Sequence, residues 1–114
     1  MEQRKSFRFP VKFRSSFSST GIVGGEGSVV DLSIRGCRIE SPIDVQPGAS
    51  LEIRIVVAGH DHPIYIQAAV VRWSRGHEFG LEFEVISPIE WTHLQDFVKE
   101  MELEPYQRAQ EQAD

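Results

Sequence analysis

The sequence predicts a mainly β fold, a small barrel or sandwich of about six short strands with one amphipathic helix near the C-terminal end. Three observations point there. Apolar residues fall at every second position over several short stretches, the period of a half-buried strand. Turn-forming Gly and Pro residues interrupt those stretches at regular intervals. After Ser87 the apolar period lengthens to that of a helix. The 114 residues suit a single domain, and 40% hydrophobic with 25% charged residues is ordinary for a soluble globular protein.

Residues 1–10 read as a basic, mostly non-periodic arm. Val11–Ser19 alternates through Val11, Phe13, Ser15 and Phe17. Gly21 to Gly27 holds four glycines and reads as a loop or hairpin. Ser28–Ile34 and Cys37–Glu40 flank Arg35-Gly36, as one bent strand or two short ones. Ser41-Pro42 and Pro47-Gly48 bracket a connection. Leu51, Ile53, Ile55 and Val57 alternate with Glu52 and Arg54, and Gly59–Pro63 is a turn. Ile64, Ile66, Ala68 and Val70 resume the alternation, which breaks at Val71. In His77–Val85, Phe79, Leu81, Phe83 and Val85 oppose Glu78, Gly80, Glu82 and Glu84.

The helix start is written in Ser87-Pro88-Ile89-Glu90. Ser87 is the N-cap, Pro88 takes the first helical position, and Glu90 closes a capping box. Trp91, Leu94, Phe97, Val98 and Met101 then form one apolar stripe, so a helix over about 88–103 should pack on the strands. Residues 11–103 thus make the folded unit. Residues 104–114, with little to bury, read as a polar, flexible tail.

The formal net charge of −5 argues against a general polyanion binder. Its distribution is uneven: residues 1–14 carry +4, residues 15–76 carry −1, and residues 77–114 carry −8. A basic arm on an acidic body suggests a local anion site, with long nucleic acid repelled. The longest apolar run, Ile55–Gly59, is too short to span a bilayer, and the N-terminus lacks a signal-peptide pattern. One cysteine, Cys37, permits no internal disulfide and reads as a small buried residue rather than a nucleophile. His60 and His62 flank Asp61, but without further ligands they read as a solvated hairpin tip, and no metal or cofactor is expected. A cytoplasmic location is the simplest expectation.

Two short motifs carry the chemistry. Arg4-Lys5-Ser6-Phe7-Arg8 is an R-x-x-x-R in the arm, and Asp31-Leu32-Ser33-Ile34-Arg35-Gly36 is a D-x-S-x-x-G at a bend. Their order, followed by Ala69-Val70-Val71-Arg72-Trp73, the closing Gly80-Leu81-Glu82-Phe83 and a helix, resembles the PilZ family of bacterial cyclic-di-GMP receptors over residues 3–103. The resemblance implies a six-stranded antiparallel barrel with a C-terminal helix, and an arm that wraps over the ligand at the barrel rim.

It also implies the site. Arg4 and Arg8 would fork to phosphate oxygens or guanine edges, or stack on a base. Asp31 would accept from guanine N1–H and its amino group, Ser33 would offer a hydroxyl, and Gly36 would allow close backbone approach or positive φ. Lys5, Trp73 and Arg75 are possible additional contacts. Neither motif holds an acid–base pair or an activated nucleophile, so a receptor is expected rather than an enzyme. With no output module in view, the expected signal is a conformational change passed to an effector protein in trans, from a monomer or weak homodimer. Motility, biofilm and exopolysaccharide control follow by family analogy. The alternatives are a degenerate interaction domain without nucleotide, and a small barrel for single-stranded nucleic acid, which the acidic second half opposes.

Overall fold

The structure, a computed structural model, describes residues 8–19 and 22–112, with side chains described over 8–19 and 24–102. Six strands precede one helix: β1 (Phe9–Ser19), β2 (Ile22–Leu32), β3 (Gly36–Glu40), β4 (Ser50–Val56), β5 (Ile64–Arg75), β6 (Glu78–Val85) and α1 (Pro88–Gln112). All neighbouring strands are antiparallel, and the order β1-β2-β3-β6-β5-β4 closes on itself. Closure leaves no free sheet edge.

The period-two pattern fills the barrel. Leu51, Ile53 and Ile55 of β4 point inward and are buried, while Arg54 between them is exposed. Phe17 and Phe79 meet edge to face inside, with ring centroids 5.3 Å apart. Each fully buried side chain of this size contributes about 1.5–3 kcal/mol.

Two sequence expectations need revising here. Of the loop or hairpin read for the glycine-rich segment, the structure has the hairpin, with Gly24, Gly25 and Gly27 inside β2. Gly25 pairs with Phe17, and a Cβ at Gly25 would lie 2.6 Å from the Phe17 ring, so the glycine makes room for a core aromatic. Gly24, at φ 71°, sits where β2 carries an extra residue against β1, the conformation a glycine bulge requires. The second correction concerns β5, where Ala69 and Val71 are buried while Ala68 and Val70 are only half-buried. Between Leu51↔Ala69 and Ile53↔Ile66, β5 advances three residues against two, and this bulge shifts the phase.

Helix α1 starts as its cap demands, with Glu90 N–H donating to Ser87 Oγ at 3.3 Å. Leu94, Phe97 and Val98 bury its inner face, and Phe97 meets Phe13 of β1 edge on at 5.5 Å. The helix runs to Gln112, nine residues past the expected end. Residues 100–112 hold four Glu and three Gln besides Met101, Leu103, Arg108 and Ala109, strong helix formers, which offset the hydrogen bond lost at Pro105.

His60 is not on a solvated tip. Its turn folds back on α1, where His60 Nδ1 lies 3.2 Å from His93 Nε2 and its ring stands edge on to Phe97. Cys37 is fully buried, as its sequence context suggests. Among the described residues, no helix is long and apolar enough to cross a membrane.

Candidate functional site

The site is built on the bend between β2 and β3. Ser33, 1% exposed, organises it. Its Oγ accepts the N–H groups of Arg35 at 3.1 Å and Gly36 at 3.2 Å, and donates to the Gly36 carbonyl at 3.3 Å. The Ser33 N–H donates to the same carbonyl at 2.9 Å. The serine hydroxyl therefore does what short polar side chains do in turns, and shapes the bend from within.

Gly36 presses the bend onto β6. A Cβ there would strike the Leu81 carbonyl oxygen, so the motif glycine serves close approach to a neighbouring strand and not a positive φ. The Phe83 N–H donates to the Arg35 carbonyl at 2.8 Å, fixing the other side. Arg35 is thus an exposed side chain on a pinned backbone, with no polar partner among the described residues.

Asp31 stands at the end of β2 with its side chain 17% exposed and ties three elements together. Its Oδ1 accepts from Arg8 Nη1 at 2.8 Å and its Oδ2 from Arg38 Nε at 3.0 Å. Arg38 also reaches Glu78 at 3.3 Å. Charge-assisted bonds of this kind are about twice as strong as neutral ones. They hold Arg8, just before β1, against the bend.

Above this framework lies an open cleft of about 530 Å³ lined by Arg8, Ser33, Arg35, Arg72, Trp73, Gly80, Leu81 and Glu82. That volume falls in the range of small-molecule sites. Arg8, Arg35 and Arg72 make the cleft cationic. Arg72 is partly neutralised by Glu82 at 2.6 Å and Glu84 at 3.8 Å. Trp73 is 36% exposed, and the Arg75 guanidinium lies 5.6 Å from its ring centroid. A cleft with cations and one exposed aromatic can hold an anion bearing a flat ring.

Of the residues the sequence singles out, Arg8, Ser33 and Trp73 line the cleft, Asp31 and Gly36 support it from below, and Arg75 flanks Trp73. Arg4 and Lys5 lie outside the described residues. Sequence reasoning missed Arg35, Arg38, Arg72 and Gly80. Arg35 sits inside the second motif and Arg72 precedes Trp73, so proximity to motif residues was an available signal. Nothing in the sequence reveals that Arg38 reaches Asp31, because that depends on the β2–β3 register.

Cys37 lies beneath the site. Burial, with the nearby Asp31 charge, pushes its thiol up to about 12, which leaves no nucleophile at neutral pH. Among the described residues, no group of three His, Cys, Asp or Glu side chains is placed to hold a metal ion.

Comparison with known proteins bears on the fold. A family model described as the PilZ domain matches residues 2–100. No curated protein matches the chain. Among solved structures, YcgR from Escherichia coli in complex with c-di-GMP is similar over 96% of this chain and 50% of its own, at 18% identity and a TM-score of 0.78. The Bacillus subtilis inhibitor of motility MotI/DgrA matches over 91% of this chain and 53% of its own, at 18% identity and a TM-score of 0.74. The K. pneumonia MrkH–c-di-GMP complex matches over 95% and 56%, at 15% identity and a TM-score of 0.78. The chain spans about half the length of these structures, and at such identities the likeness is one of fold.

Proposed function

The chain belongs to the PilZ domain family, and on that premise we propose that it is a receptor for cyclic-di-GMP that signals through a protein partner. The observation that carries the reading is the Arg8–Asp31 pair, which joins the arm motif to the bend motif at the mouth of a cationic cleft. Two structural relatives described with c-di-GMP share this fold and support it.

The roles follow from donor and acceptor chemistry. Arg8, and Arg4 upstream, bind phosphate or guanine with forked guanidinium groups. Asp31 accepts from a guanine edge. A carboxylate offers about four lone-pair sites, so it can do this while Arg38 stays bound. Ser33 and Gly36 hold the bend that presents Asp31 and Arg35. Trp73 offers a face to a base, with Arg75 beside it, and Lys5 adds charge on the arm. Among the described residues none in the cleft pairs a base with a nucleophile, and the proposed task is binding.

Ligand binding changes how the arm sits on the barrel, and a partner reads that change in the cytoplasm. Control of motility, biofilm or exopolysaccharide is the family-level role. The test is calorimetric titration with cyclic-di-GMP alongside a single-stranded oligonucleotide. Saturable heat with the dinucleotide alone supports the receptor. Silence with both points to an interaction domain without nucleotide, and salt-sensitive binding of the oligonucleotide alone points to a nucleic-acid binder.

A further inference from the structure

Gly80 has a local environment that strand packing does not account for. It faces outward on β6, between inward-facing Phe79 and Leu81, and its register partner on β5 is Trp73. A Cβ built on Gly80 would lie 2.5 Å from Cε2 and 2.9 Å from Cδ1 of Trp73, with Nε1 nearer still. The five-membered half of the indole therefore rests on the bare Cα of Gly80.

A second feature brings Trp73 there. Val71 pairs with Leu81 and Trp73 with Gly80, so β5 advances two residues while β6 advances one. Such a bulge re-aims the side chains around it. Val71 points into the core at 1% exposure, and without the bulge Trp73, two residues on, would follow it inward. With the bulge, Trp73 turns out into the cleft, opposite Arg8, Ser33 and Arg35.

We propose that Gly80 is a positioning residue for ligand recognition: together with the bulge at Arg72–Trp73 it seats the indole as a fixed platform on which one guanine of the dinucleotide stacks. The proposal rests on the cyclic-di-GMP reading and deepens it. A seated indole has already lost its rotamer freedom, so stacking on it costs less ordering than stacking on a free side chain. The adjacent Arg75 adds a cation at the platform's margin.

The test is a double-mutant cycle on the full chain, with affinity for cyclic-di-GMP read by calorimetry. Trp73→Ala is expected to weaken binding roughly tenfold, the scale of one base–aromatic stack. Gly80→Ala is expected to weaken it to a similar degree, because the new methyl lifts the indole from its seat. In the Trp73→Ala background, Gly80→Ala should then change affinity less than twofold. A glycine that served only the strand would weaken binding equally in both backgrounds, and that result overturns the proposal, as does wild-type affinity in Gly80→Ala.

A second readout stands whether or not Gly80→Ala folds. In a Trp91→Phe background Trp73 is the sole tryptophan, and its emission should be quenched as the dinucleotide saturates; unchanged emission overturns the platform. No binding by the wild type would instead sink the receptor reading itself.

Discussion

Arg8 and Asp31 stand 23 residues apart in the chain, and Nη1 of the one lies 2.8 Å from Oδ1 of the other. This contact joins two motifs that the sequence presents separately. The arginine side chain is 54% exposed and the aspartate 17%, so the pair lies at the rim, half in the barrel wall and half in solvent. Asp31 keeps a second cation, Arg38, on its other oxygen. The carboxylate is thereby held from one side by Arg38, and on the proposed reading the more exposed Arg8 is the partner that exchanges it for ligand.

Removing either member should cost affinity. Arg8→Ala and Asp31→Ala are each expected to weaken cyclic-di-GMP binding tenfold or more, since losing one partner of a charge-assisted contact costs roughly 1.5–3 kcal/mol. Titration calorimetry of the two variants checks this. Unchanged affinity in both would remove the pair from the site.

Gly36→Ala should damage stability before it damages recognition. Its methyl would meet the Leu81 carbonyl, a backbone atom that cannot swing aside, at the point where β3 pairs with β6. Overpacking of this sort costs about 1–3 kcal/mol, which for a domain of this size lowers Tm by roughly 4–12 °C. Thermal unfolding by circular dichroism gives the number.

How much of this was legible beforehand differs between fold and site. Leu51, Ile53 and Ile55 announced β4, and Ser87-Pro88 announced the helix start, because their local patterns match what tertiary packing demands. Gly25 left loop and hairpin open, since only the space that a distant aromatic, here Phe17, takes over it places the glycine in a strand. Ala68 and Val70 continued the inward alternation in the sequence, and the break at Val71 was its one local sign that a bulge earlier in β5 had already moved Ala69 and Val71 to the core face. At the site, Asp31 and Ser33 stood out by motif. The partnership of Asp31 with Arg38 and the seat of Trp73 on Gly80 arise from strand register, which one sequence does not display.

Cys37 should be inert in the folded protein. With its thiol pushed up to about 12 by burial, thiolate at pH 8 is on the order of one part in ten thousand. A chromogenic disulfide reagent at pH 8 is expected to react with the native protein only at the rate of unfolding, and within minutes in strong denaturant. Fast native labelling would show that the barrel opens beneath the site.

The Tyr65–Glu52 contact predicts two pH limits. Tyr65 Oη donates to Glu52 Oε2 at 2.7 Å. That bond, followed by the one from Arg54, holds Glu52 below its ordinary range, and the same bond to Glu52 raises Tyr65. The Glu52 contribution is present above the carboxylate's unfolded value and is lost as pH falls through the lowered folded one. The Tyr65 contribution is present below the phenol's unfolded value and is lost as pH rises through the raised folded one. Tyr65→Phe should move the Glu52 carboxyl titration upward in carbon-detected NMR; an unmoved titration would show that Arg54 and Ser18 set it without the phenol.

On the proposed reading a compact dinucleotide binds where Arg8 meets the bend. Calorimetric titration of the wild-type chain with cyclic-di-GMP, at protein concentrations of tens of micromolar, tests it most directly. Saturable heat that Asp31→Ala diminishes is expected, with the endpoint giving one or two nucleotides per chain. No heat with a folded wild-type protein would contradict it.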